Sequence, residues 1–187
     1  MIIVSYVPLI LSGIAQRFDD PSVQKNMAVD LELIQAYDHL LTQLEHDIIA
    51  CAKEHDLRSY ALLQTIPGVG RILGLVILYE IESIERFPSV QDFVSYCRLV
   101  KCIKESNGKK YGSSGKKIGN AHLKWAFSEA AVLFLKGNEP AKKFLQRLTH
   151  KHGKAKALSI LAHKLGRAVY FMLKNKEAFN QKQLLGL

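Results

Sequence analysis

The sequence predicts a mainly α protein: a long coiled-coil-like helix, then a helical domain holding a helix-hairpin-helix-like motif and a basic Gly/Lys/Ser loop. Three observations carry this expectation. From Val23 to about Glu54 apolar residues recur three and four apart, with neither proline nor glycine between them. Beyond that stretch the apolar segments keep a helical period, and no strand pattern of any length follows residue 20. The run from Lys101 to Lys124 breaks every period: glycine stands at 108, 112, 115 and 119, and seven lysines face a single acid, Glu105.

These signals divide the 187 residues into 1–20, a leader or the remnant of a missing preceding domain, the long helix 21–57, and the helical domain 58–187. Charge is unevenly spread. Residues 1–100 hold 7 Lys+Arg against 13 Asp+Glu, residues 101–187 hold 19 against 4, and the whole chain carries +9. No acid lies between Glu139 and Glu177, while Lys142, Lys143, Arg147, Lys151, Lys154, Lys156 and Arg167 do. Such density points to a polyanion, most simply nucleic acid. Cys51, Cys97 and Cys102 are too few and too apolar in context for a disulfide framework, which implies a reducing cytoplasm. Cys97 and Cys102 fit no common zinc spacing. The apolar start MIIVSYVPLILSGIA is short, is interrupted by Pro8 and lacks a positive leading region, so neither a membrane span nor a signal peptide is expected.

In chain order, RFDDP (17–21) reads as a turn. The long helix then sets Ile34, Tyr37, Leu41, Leu44, Ile48 and Cys51 on one seam, with Glu32, Asp38, Glu45 and Asp47 opposite. It either packs lengthwise as an ordinary core helix or pairs with a second copy, and the thin seam favours a homo-oligomer through 23–54. Two helical segments, 59–65 and 71–84, flank IPGVG (66–70). This resembles a helix-hairpin-helix, whose hairpin N–H groups and following helix dipole meet a phosphate; Gly68, Gly70 and Arg71 are the candidate contacts. A Pro-Gly hairpin also joins helices where no nucleic acid is near. Glu80, Glu82 and Glu85 read as a solvated face. Pro88 and Ser89 open a helix whose face is Phe93, Val94 and Tyr96. Past the loop come helices at 122–135, 141–150 and 155–175, the last burying Leu158, Leu161, Leu165, Val169 and Met172; Trp125 and Phe127 read as core.

The loop has its own chemistry. Glycine permits close backbone approach to a phosphate while lysines supply charge, and the loop ends at a helix N-terminus, where anions are favoured. The contacts expected there are Lys101, Lys104, Lys109, Lys110, Lys116, Lys117, Asn120 and Lys124. A solvated linker has the same composition.

IPGVG, YEIESIERFPSVQDFVSYCRLV, the serine-bearing lysine loop and KIGNAHLKWAFSEAA follow one another in an order similar to that in bacterial insertion-sequence transposases with an N-terminal RuvC-like domain and a C-terminal serine domain. The similarity covers about residues 17–179, the C-terminal part only. It implies a serine fourteen residues before Asn120, which is Ser106; here Asn107 intervenes before Gly108, and Ser113 and Ser114 stand closer to the helix. It further implies attack of that hydroxyl on a DNA phosphodiester, a structured guide RNA, and Mg2+ held by acids of the other domain, with no cofactor on this chain. A serine needs such help, being a weak nucleophile alone. The chain thus reads as the rear half of a DNA recombinase, inactive alone. The alternatives are a nucleic-acid-binding regulator without chemistry and a structural protein whose basic face meets ribosomal RNA.

Overall fold

The computed structural model describes residues 13–100, the backbone of 105–106 and 109–110, and residues 118–186. The expectations for residues 1–12 and for Lys101, Lys104, Lys116 and Lys117 lie outside them. The architecture is mainly helical, as expected. By contacts the chain forms two units, Met1–Cys51 and Ala52–Leu187.

In the first unit a 3-10 turn, Ala15–Arg17, precedes helix α1, Pro21–Gln64, which continues into the second unit. The RFDDP turn is the helix entry: Pro21 occupies the first helical position, where its missing N–H costs nothing, and Asp20 Oδ1 accepts from Ser22 N at 2.7 Å. No residue from 13 to 51 is buried. The seam positions Ile34, Tyr37, Leu41, Leu44 and Ile48 are 41%, 64%, 52%, 56% and 45% exposed.

The second unit begins at the buried Ala52, and α1 breaks shortly after, at Asp56 (φ −156°, ψ 79°). Asp56 Oδ1 accepts from Ser59 N at 2.9 Å, which caps the final turns of α1. Burial raises the Asp56 pKa, but the hydrogen bonds from Ser59 and the charges of Lys176 and His55 outweigh it and hold the carboxyl below its ordinary value.

Then follow α2 (Arg71–Ile81), a 3-10 turn at Ile84–Arg86, α3 (Val90–Tyr96), strands β1 (Glu105–Ser106) and β2 (Lys109–Lys110), α4 (Ala121–Leu133), α5 (Glu139–His152), α6 (Lys154–Asn175) and α7 (Gln181–Leu185). Most helix starts are written in the sequence as caps. Ser89 Oγ accepts from Asp92 N at 3.3 Å, and Asn120, Asn138 and Asn180 accept from the backbone three residues on at 2.9, 3.2 and 3.1 Å. Helix α6 is the hub, packing against α3, α4, α5 and α7, while α2 packs on α4. Its buried stripe includes Leu161, Leu165, Val169 and Met172; Leu158 is half-buried. Phe93 packs edge-on to Phe87 and Phe127, and tilted against Tyr170, with centroids 5.1, 6.2 and 5.8 Å apart. Such contacts add directional stability to area burial.

Two expectations need correction. Trp125 is not core: it is 48% exposed, whereas Phe127 is 1% exposed. Two positions along a helix turn a side chain by roughly 200°, so only one of the pair can face α6. The loop is also not free of strand, since Glu105 pairs with Lys110 and Ser106 with Lys109 in a two-residue antiparallel ladder. A pair that short carries no core and leaves the fold mainly α.

Candidate nucleic-acid interface

The residues that flank the Ser106-bearing segment meet at one place. Past α3, Arg98 adopts φ +54° and Leu99 N returns to Val94 O at 2.9 Å, which turns the chain out. On re-entry Gly119 stands at φ +90°, where a Cβ would fall 2.5 Å from Tyr96 O, so only glycine fits. Asn120 N then donates to Tyr96 O at 2.6 Å and Arg98 Nε donates to Gly119 O at 2.9 Å. Tyr96 and Arg98 before the segment are therefore joined by hydrogen bonds to Gly119 and Asn120 after it. Leu99 is fixed from below by Gly166 of α6, where an added Cβ would meet Leu99 Cδ1 at 2.5 Å.

Asn120 is the keystone of this junction. Its Oδ1 caps α4 at Leu123 N, and its Nδ2 donates to Glu80 Oε2 at 2.5 Å and to Tyr96 Oη at 3.4 Å. Its amide is thus engaged on both ends. Glu80 lies near the end of α2, so a carboxylate forty residues away holds the start of α4. Neither it nor the turn at Arg98 is legible as a site from the sequence, because the pairing depends on how α2 lies along α4. The remaining acids of this stretch are paired too: Glu82 with Arg86 at 3.6 Å and Glu85 with Lys174.

Of the predicted contacts, Asn120 and Lys124 fall at the start of α4, and Gly68 falls at its other end. Glu80, late in α2, meets Asn120 at the start of α4, while Gly68, just before α2, meets Leu133 and Phe134 at its other end. Thirteen residues at 1.5 Å each separate them by about 20 Å. Gly68 (φ +86°) presses on α4 so closely that a Cβ would sit 2.6 Å from Leu133 C. Gly70 and Arg71 are exposed at the start of α2, with no side-chain cap on that helix. At the other end Lys124 is exposed beside the exposed His122 and Trp125, an arrangement of cation and aromatic suited to stacked, charged ligands. Ser106, Lys109 and Lys110 lie on the β1–β2 ladder.

Among the described residues no group of three or more His, Cys, Asp or Glu is placed to hold a metal ion. Burial pushes the Cys97 thiol far above its ordinary range, so it is a core group rather than a nucleophile. Among these residues no helix is long and apolar enough to cross a membrane.

Residues 60–146 match the model of the Transposase IS116/IS110/IS902 family. The matched region spans α2, α3, the loop junction and α4. The chain is also 31% identical over 160 residues to the pilin gene-inverting proteins of Moraxella lacunata and Moraxella bovis, an alignment covering 80% of this chain. It spans 48% of the length of each of those relatives. The similarity to insertion-sequence transposases expected from the motif order is thus met.

Proposed function

We propose that this chain is the C-terminal, serine-bearing part of a DNA transposase or recombinase of that family. The observation that carries the reading is the junction at Tyr96, Arg98, Gly119 and Asn120, which anchors a lysine-rich, Ser106-bearing segment at the start of α4 within the family-matched region. In the reaction the Ser106 oxygen bonds to phosphorus, its proton passes to a base, and a backbone P–O bond breaks, the departing deoxyribose oxygen taking up a proton from an acid or water to become a hydroxyl. The phosphoserine link keeps the bond energy for rejoining. Lys101, Lys104, Lys109, Lys110, Lys116, Lys117 and Lys124 neutralise the DNA backbone, and the start of α2 at Gly70 and Arg71 is a second contact about 20 Å along α4.

Activation of the hydroxyl belongs to a metal-binding nuclease domain with which this part works; the relatives' greater length accommodates one. A structured RNA that selects the DNA is the further partner the resemblance implies. The exposed seam of α1 supports pairing of two copies, since five large apolar side chains on one stripe gain burial against a like stripe.

The test is capture of a covalent protein–DNA adduct. The chain supplied with a RuvC-like partner domain, Mg2+ and target DNA is expected to form a phosphoserine adduct that Ser106→Ala abolishes while DNA binding persists. An adduct that survives Ser106→Ala refutes the assignment. The isolated chain with Mg2+ is expected not to cut, and robust cutting would refute its dependence on a second domain.

A further inference from the structure

Helix α5 carries a charge pattern that its own stability does not explain. Asn138 caps its start and Gly153 ends it. Its inner face packs on α6 and α7 through Ala141, Phe144 and Leu145, and the amides of Asn138 and Gln181 bond reciprocally at 3.1 and 3.0 Å. The outer face is basic: Lys142, Lys143, Arg147, His150 and Lys151 are all exposed. Cations in the last turn, such as Lys151, complement the helix dipole, but Lys142 and Lys143 stand in the early turns, where the dipole opposes them. The one acid of the helix, Glu139, is committed to Lys142 at 2.6 Å. Lys143, Arg147 and Lys151 recur every fourth residue, so they form one stripe with steps of about 6 Å. The acid-free run continues through Lys154 and Lys156, both exposed.

We propose that this outer face of α5 is a docking surface for the phosphate backbone of duplex DNA, separate from the loop junction and from the start of α2. The inference rests on the DNA-recombinase reading above. Charge complementarity selects the partner, and the absence of an exposed aromatic on this stripe argues for a duplex over a single strand. Phe144, the ring nearest Arg147 at 5.8 Å, is half-buried and offers no stacking platform. The exposed Lys143, Arg147 and Lys151 supply charge that neutralises phosphates, so the contact is salt-sensitive and sequence-independent in its electrostatic part.

The experiment measures anisotropy of a fluorescent duplex titrated with the full 187-residue chain over a range of salt. The variant Lys143→Gln/Arg147→Gln/Lys151→Gln keeps helix propensity, and circular dichroism verifies its fold. Three lost phosphate contacts reduce the slope of log affinity against log salt by about 2.7. Wild type therefore loses about 40-fold more affinity than the variant between 50 and 200 mM salt. The variant Arg17→Gln/Lys25→Gln/Lys53→Gln removes the same charge from elsewhere and is expected to leave the slope near wild type. Coincident slopes for wild type and the α5 variant overturn the proposal, as does an equal change in the control, or a change seen with folded RNA but not with the duplex. If wild type does not bind duplex DNA at all, the recombinase reading falls with it. Binding with an unmoved slope removes the α5 surface alone.

Discussion

Gly68 and Gly70 sit two residues apart in the same hairpin and make opposite predictions for the same substitution. At Gly68 the backbone stands at φ +86°, and a Cβ would lie 2.6 Å from Leu133 C, 2.7 Å from Phe134 N and 2.9 Å from Leu133 Cβ. The left-handed conformation costs a side chain about 1–2 kcal/mol. Main-chain obstacles cannot turn aside as a rotamer does, and overpacking of this kind adds about 1–3 kcal/mol. Gly68→Ala should therefore lose about 2–5 kcal/mol, near 10 °C in melting temperature for a chain of this size. Gly70 has φ −83° and nothing within 4 Å of its Cβ position, so Gly70→Ala costs under about 1 kcal/mol, the difference between those residues at a helix N-cap. Thermal and urea unfolding of both variants measure the contrast. Equal losses, or a neutral Gly68→Ala, would refute the claim that the hairpin is a packing element against α4. Loss of DNA affinity by Gly68→Ala at full stability would instead make it a phosphate contact.

Glu80→Ala should cost about 1–3 kcal/mol by leaving the Asn120 amide short of its charged acceptor, and faster hydrogen exchange at Leu123 N–H should accompany it; unchanged protection there would count against the junction. Asp56→Ala should cost about 1 kcal/mol at pH 7. Because the folded pKa of Asp56 lies below its ordinary value, its contribution is complete above about pH 5 and fades as pH falls through about 4 and into the folded value, so the gap between variant and wild type should close in acid. A gap that does not narrow at all as pH falls below about 4 would mean the cap is not electrostatic. Leu41→Lys with Leu44→Lys should convert any oligomer to monomer by light scattering while helicity of Ala52–Leu187 is kept; an unchanged mass would exclude the α1 seam as the pairing surface.

The helical elements were legible because their signals are local. Ser89 and Asn120 stand one position ahead of the helices they cap, and the stripe of Leu161, Leu165 and Val169 repeats at the helical period; α7, capped by Asn180, is five residues long, too short to show a period, and was not expected. What escaped depends on distant residues. Trp125 and Phe127 are alike in sequence context, and the direction of α6 decides which is buried. Asn120 was recognised as the end of the loop, but its partner Glu80 read as one of three solvated acids, since the closeness of α2 and α4 is not written in either. Gly68 and Gly70 looked equivalent for the same reason: the backbone of Leu133 and Phe134 distinguishes them. Arg98 gave no sign of a left-handed turn, because arginine has no preference for one.

The bond from Asn120 N to Tyr96 O makes the segment between them a closed ring in terms of chain statistics. The entropy of closing such a ring grows with the logarithm of its length, so doubling the number of residues costs only about 0.6 kcal/mol. On this scale residues added between 100 and 118 cost the helices little, whereas Cys97, Arg98, Leu99 and Gly119 are held by burial, packing and hydrogen bonds.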